Sequence, residues 1–142
     1  MRLTSFTDFA LRALMRLAGE PGRSFATNEI AAEFGISRNH LAKVVRDLAD
    51  IGFISTQRGV GGGFTLARPA QSITIGEVVR ALEGPALVEC FREDGGNCVL
   101  QPRCRLKARL AAAREAFMRE LDATTLAECA YPAAARRGAA HA

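Results

Sequence analysis

Three cysteines, Cys90, Cys98 and Cys104, fall within fifteen residues of a 142-residue chain whose fourth and last is Cys129. An odd cluster of this kind does not pair neatly into disulfides, and in a reducing compartment it points to metal or redox chemistry. Structural zinc sites bring their cysteines in pairs two to four residues apart, which Cys90-x7-Cys98-x5-Cys104 does not match. Wider, uneven spacing lets a loop wrap a larger object, and thiolates are the preferred ligands of iron–sulfur clusters. Cys104 opens a long helix, where the dipole and free N–H groups favour anionic sulfur, and Arg103, Arg105 and Lys107 stand beside it. Zinc, or three plain thiols in a loop, are the competing readings. Three thiolates leave one iron short of a protein ligand. Cys129, His40, His141 or a carboxylate would have to supply it. Cys129 sits on an Ala-rich turn and reads as a small apolar packing residue, and a carboxylate oxygen holds iron less strongly than sulfur. A weakly held fourth position would expose that iron to attack by a small molecule.

A second group of residues suits a different chemistry. Ser37-Arg38-Asn39-His40, with Lys43 and Arg46 following, places donors and acceptors on one exposed face at the start of a helix. In a DNA major groove guanine offers two acceptors and adenine a donor–acceptor pair, targets that suit Arg38 and Asn39. His40 can hydrogen-bond a phosphate or the first helix. Arg58, in a glycine-rich tip that includes Gly61, is placed to enter an adjacent minor groove or to meet phosphate.

The elements needed to hold these groups can be read from periodicity. Phe6, Phe9, Ala10, Ala13, Leu14 and Leu17 recur at threes and fours, predicting a helix over 4–18 with Thr4 or Ser5 as cap. Thr27 precedes a short second helix over Asn28 to Phe34 that Gly35 ends, and Ser37 caps a third that carries Leu41, Val44, Val45 and Leu48 inward. Two short strands, 53–57 and 64–67, flank Arg58-Gly-Val-Gly-Gly-Gly63. Helix, Gly, helix and a glycine-tipped hairpin make a winged helix-turn-helix. Thr74 introduces a fourth helix over 75–82, residues 86–103 show no period, and a long helix of about 27 Å runs from Cys104 to Leu121. On it Leu106, Leu110, Ala113 and Phe117 follow the 4-3-4 spacing of a helix-pairing seam. The expected architecture is mainly α, with a winged-helix DNA-binding domain at 1–69, a cysteine loop and dimerisation helix at 70–131, and a disordered tail at 132–142. A single winged helix covers few base pairs, so a homodimer on a two-fold operator is expected.

Composition agrees with a DNA-binding globular chain. Residues 1–69 hold nine Lys/Arg against six Asp/Glu, a net of +3, and residues 70–142 hold ten against nine, a net of +1. The positive excess sits in the half that carries the candidate reading head, which suggests a polyanionic partner there. No apolar run approaches the ~20 residues of a spanning helix. The N-terminal stretch is broken by Arg2, Asp8, Arg12 and Arg16, unlike a secretory signal, so a cytoplasmic location is expected. There is no nucleotide loop, paired catalytic acids or Ser/His constellation, so an enzyme is not expected.

The opening Leu3-Thr4-Ser5-Phe6-Thr7-Asp8-Phe9-Ala10-Leu11-Arg12-Ala13-Leu14, the turn and helix Gly35-Ile36-Ser37-Arg38-Asn39-His40-Leu41, the wing and the three-cysteine loop resemble one family. It is the bacterial winged-helix iron–sulfur repressor family of NsrR and IscR, and the resemblance covers roughly residues 1–130. Ser37-Arg38-Asn39-His40 and Cys104-Arg105-Leu106-Lys107 look most like its nitric-oxide-sensing members. In IscR-like members a histidine ligand follows the third cysteine by three residues, a position held here by Lys107, which cannot serve while protonated. The gap between Cys90 and Cys98 is also longer than in some relatives. The resemblance implies a homodimer with one 4Fe–4S cluster per subunit, although 2Fe–2S suits the same ligand count. Three cysteines would come from one chain and a carboxylate from its partner, and the matching position is Asp8. It further implies a repressor that holds operator DNA while the cluster is intact and releases it when nitric oxide attacks the cluster. Sensing of iron or cluster supply, or a cluster-free thiol switch, are the alternatives.

Overall fold

The computed structural model describes residues 2–84 and 86–132. The tail from residue 133 onward, with His141, lies outside them. Among the described residues five helices appear in chain order: α1 (Ser5–Gly19), α2 (Thr27–Phe34), α3 (Arg38–Ile51), α4 (Ile75–Leu82) and α5 (Arg105–Asp122). The strands β1 (Ile54–Gln57) and β2 (Gly63–Leu66) form one antiparallel hairpin with Ile54 opposite Leu66 and Gln57 opposite Gly63. This is the mainly helical winged fold that the patterning implies. Among the described residues there are also three short 3-10 turns, Ala70–Ser72, Glu89–Phe91 and Ala127–Cys129; the last falls within the stretch 124–130, where the sequence allows a closing turn, and the other two are too short to show a period. No helix among the described residues is long and apolar enough to cross a membrane.

Local chemistry explains where the elements start and stop. Thr4 Oγ1 accepts from the Thr7 N–H and caps α1, and Ser37 Oγ accepts from the His40 N–H and caps α3. Thr74 and Glu77 form a reciprocal capping box at the start of α4. Gly35 ends α2 at φ 64°, a left-handed backbone that costs little only without a side chain, and this permits the tight turn into α3.

One apolar core gathers Leu14 and Leu17 of α1, Ile30 of α2, Leu41, Val44 and Leu48 of α3, Val78 of α4, Met118 of α5 and Leu126 beyond it. The wing is fixed to this body at its base. Phe25 and Phe64 exchange both backbone hydrogen bonds, at 3.0 and 2.9 Å, which adds a third short strand contact to the hairpin. Gly63 makes that approach possible: a Cβ there would lie 2.4 Å from the Phe25 carbonyl oxygen.

The C-terminal segment closes the back of the molecule. Leu126 N–H donates to Ile73 O at 2.8 Å, and Tyr131 N–H donates to Met15 O at 2.9 Å. Within α5 only Met118 is fully buried. Phe117, placed by spacing in a pairing seam, instead packs against the chain's own core with Leu121. Leu106 is 62% exposed and Ala113 is exposed too, so the outward seam is narrower than the 4-3-4 pattern implies.

Candidate functional site

The reading head begins at Ser37, whose hydroxyl is committed to the first turn of α3. That cap fixes the direction in which the next three residues leave the helix start. Arg38, Asn39 and His40 are all exposed, as is Arg46 one turn and a half later. None of the side chains of Arg38, Asn39 and Arg46 is engaged in an ion pair or hydrogen bond among those described, which leaves their donors available. Lys43 behaves differently. Its Nζ donates to Asp47 at 2.8 Å and lies 4.6 Å from the centre of the Phe6 ring of α1. The lysine therefore ties the reading helix to α1 as well as offering charge. The wing tip is exposed from Arg58 to Gly61, and Val60 is fully so.

Behind the reading head, α1 and α2 are locked by a buried charge cluster. Arg16 Nε donates to both Glu33 oxygens at 2.9 and 3.1 Å, and its Nη2 donates to Glu20 at 3.0 Å. The guanidinium also stacks over Phe25, 4.8 Å from the ring centre. Periodicity marked Arg16 only as a polar interruption on α1, because its partner Glu33 is seventeen residues away.

The cysteine segment runs from the end of α4 to the start of α5. Cys90 lies in the Glu89–Phe91 turn, Cys98 in the irregular stretch, and Cys104 is the N-cap residue of α5. All four cysteines are half-buried and none is in a disulfide. Cys129 packs against the core beyond α5, as its composition context implied. The segment is held by its own polar contacts. Asn97 N–H donates to Glu89 Oε1 at 2.9 Å, and Gln101 Nε2 donates to the Gly95 carbonyl at 2.9 Å. Lys107 Nζ donates to Gln101 Oε1 at 2.8 Å, so the lysine at the position of the IscR-like ligand histidine braces the loop.

Do these residues suit a metal centre? The donor set does: three thiols of soft character in one segment, the last at a helix start with no side-chain cap and no acid in the first turn. The arrangement in a single chain does not assemble them, because no group of three His, Cys, Asp or Glu among the described residues stands ready to hold a metal ion. Asp8 of the same chain is engaged elsewhere. Its carboxylate accepts from Arg12 Nε at 3.2 Å and pairs with Arg12 Nη2 at 2.7 Å, one turn along α1.

A capped reading helix behind a glycine turn, followed by a two-stranded wing pinned to the body, defines the winged helix-turn-helix class of transcriptional regulators. Within that class the chain belongs to the Rrf2 family, whose model, described as an iron-dependent transcriptional regulator, matches residues 3–131. Solved structures of the same fold include the oxidized form of CymR from Staphylococcus aureus, 28% identical with a TM-score of 0.74, covering 92% of this chain and 96% of that one. CymR of B. subtilis, the global cysteine regulator of that organism, is 27% identical with a TM-score of 0.75, at 92% and 96% coverage. T. potens IscR shares the fold at 23% identity and a TM-score of 0.71, covering 90% of this chain and 85% of its own. Members of the family are transcriptional regulators.

Proposed function

We propose that this chain is a DNA-binding repressor whose hold on its operator is governed by an iron–sulfur cluster and lost on exposure to nitric oxide. Regulators of the family bind DNA and are typically dimeric. In this reading Ser37, Arg38, Asn39, His40 and Lys43 face the major groove, and Arg58 and Gly61 approach the backbone or minor groove from the wing. Two such heads, one from each subunit, sit on a two-fold operator, with the exposed side of α5 around Leu106 and Ala113 pairing the subunits. Cys90, Cys98 and Cys104 hold the cluster, and the partner subunit's Asp8 completes it once released from Arg12. The observation that carries this reading is the presence of three free, half-buried thiols in one segment that ends at the uncapped start of α5.

When bound, the cluster supplies iron that a small diatomic ligand can reach. The remaining work belongs to the chain. Lys107 braces the segment through Gln101, Arg103 and Arg105 offset anionic charge, and Asp8 links helix α1 of one subunit to the cysteine segment of the other. Losing that link changes the spacing of the two reading heads. The test is anaerobic reconstitution with iron and sulfide, followed by titration with nitric oxide while DNA retention is measured. Retention that persists after complete reaction with nitric oxide refutes the signal, and derepression by iron starvation alone assigns the chain to iron or cluster supply instead.

One observation favours a second reading, a cluster-free thiol switch. The S. aureus relative CymR, 28% identical, is solved in an oxidized form, and the thiols of this chain are free and half-buried. Iron and acid-labile sulfide analysis of anaerobically purified protein separates the two: near-stoichiometric iron supports the cluster, and its absence with oxidant-sensitive DNA binding supports the switch.

A further inference from the structure

The contact between the end of α4 and the start of α1 belongs to neither module. Glu83 is the C-cap of α4, and its own N–H is fixed to Val79 O at 2.8 Å. Its carboxylate oxygen Oε1 accepts from the Thr4 N–H at 2.7 Å and from Thr4 Oγ1 at 2.9 Å, across 79 residues of sequence. Thr4 is the N-cap of α1, and the same hydroxyl accepts from the Thr7 N–H at 3.2 Å. A hydroxyl has one proton and two lone pairs. By taking the proton, Glu83 leaves the lone pairs of Thr4 aimed at the helix, so the carboxylate sets the cap as well as the position of α1. Burial pushes the Glu83 carboxyl up, but hydrogen bonds from Thr7 and from the Thr4 N–H and hydroxyl outweigh it and hold the group below its ordinary value of 4.5. It therefore acts as a charged acceptor near neutral pH.

Both sides of this joint lead somewhere. Immediately after Glu83 the chain enters the cysteine segment. On the other side, the first turn of α1 carries Asp8 and Phe6, and the Phe6 ring supports Lys43 of the reading helix. Helix α1 also packs directly against both α3 and α4.

We propose that Glu83 is a positioning residue that couples the cysteine segment to the DNA-reading helix within one subunit, through the Thr4 cap, the first turn of α1 and the Phe6–Lys43 contact. This rests on the reading above that the state of the cysteine segment controls DNA binding. Truncation strands little: Thr4 is exposed, so its N–H can turn to water, and Thr7 Oγ1 keeps Thr4 Oγ1 at 3.1 Å as a partner.

The experiment uses the full chain as wild type, Glu83→Ala and Glu83→Gln. In apo-protein, Glu83→Ala is expected to speed amide exchange at Thr7 and Asp8 by at least about tenfold and to move the Phe6 and Lys43 resonances, with far-UV circular dichroism unchanged. Glu83→Gln keeps an acceptor oxygen and recovers part of that protection. Unchanged exchange in Glu83→Ala, or a Gln variant as exposed as the Ala variant, overturns the joint. In a second arm, affinity is measured for a duplex selected by the reconstituted wild type from a random-sequence pool. The ratio of reconstituted to apo affinity is expected to reach at least about tenfold in wild type and to fall below about threefold in Glu83→Ala. A Glu83→Ala ratio equal to that of wild type overturns the coupling. A wild-type ratio of one overturns the cluster reading itself, and the apo measurements then decide the joint alone.

Discussion

Substituting Glu33 by Gln tests how α1 and α2 are held behind the reading helix. The side chains of Arg16 and Glu33 are 1% and 3% exposed, so neither charge has water to fall back on. Removing one charge of a buried pair typically costs about 3–5 kcal/mol, because the other is left uncompensated. Two features pull the value toward the lower end here. Glu20, 29% exposed, stays 3.0 Å from Arg16 Nη2, and the Phe25 ring still faces the guanidinium. The expected loss is therefore about 3 kcal/mol, or roughly 10 °C in Tm for a chain of this size. The double change Arg16→Met with Glu33→Leu removes both charges and fills the space with apolar atoms, and it should come out near neutral. Urea and thermal unfolding followed by circular dichroism would measure both proteins. A Gln variant that loses less than about 1 kcal/mol, or a double variant as unstable as the single one, would show that this cluster is not the buried charge lock described here.

Other outcomes follow from single contacts. Gly63→Ala puts a Cβ against the Phe25 carbonyl at a φ of 149°, so the wing should detach from the body; stability falls by roughly 1–3 kcal/mol and amide protection at Phe25 and Phe64 is lost. Arg38→Ala should relax sequence preference in a selection from random duplexes, whereas Arg58→Ala should weaken all duplexes alike and lower the salt dependence of binding. The Thr74 N–H, then Arg68, hold the Glu77 carboxyl below its ordinary 4.5. Its stabilising contribution is thus full above that value and lost as pH falls through the lower folded value. Glu77→Gln should therefore be less stable than wild type near neutral pH, with the gap narrowing in acid; a gap that stays constant down to complete acid unfolding would contradict the assignment.

Much of the reading head was legible because its determinants are local. The positive φ at Gly35, the Ser37 cap and the glycine-rich wing depend on neighbours within four residues. The cysteine spacing was equally visible, and so was the packing role of Cys129. What escaped notice depends on partners far apart in the chain. Lys43 reads as a DNA contact in the sequence, and its added support from the Phe6 ring of α1 exists only in the folded chain. Phe117 fitted a pairing seam by spacing alone, yet it turns inward, because the apolar stripe of α5 is set by what α4 and α1 present to it. Glu83 and Thr4 carry no pattern that would join them across 79 residues.

From the order of residues alone came the helices, their caps, the winged arrangement and the inventory of thiols and basic groups, since each reflects short-range sterics, hydrogen bonding and apolar periodicity. Tertiary structure decided which charges meet in the interior, such as Arg16 with Glu33, which aromatic ring a reading-helix lysine rests on, and which carboxylate sets the cap of a distant helix. Those outcomes depend on packing geometry and on the high cost of burying an unpaired polar group, and both are properties of surfaces that exist only once the chain has folded.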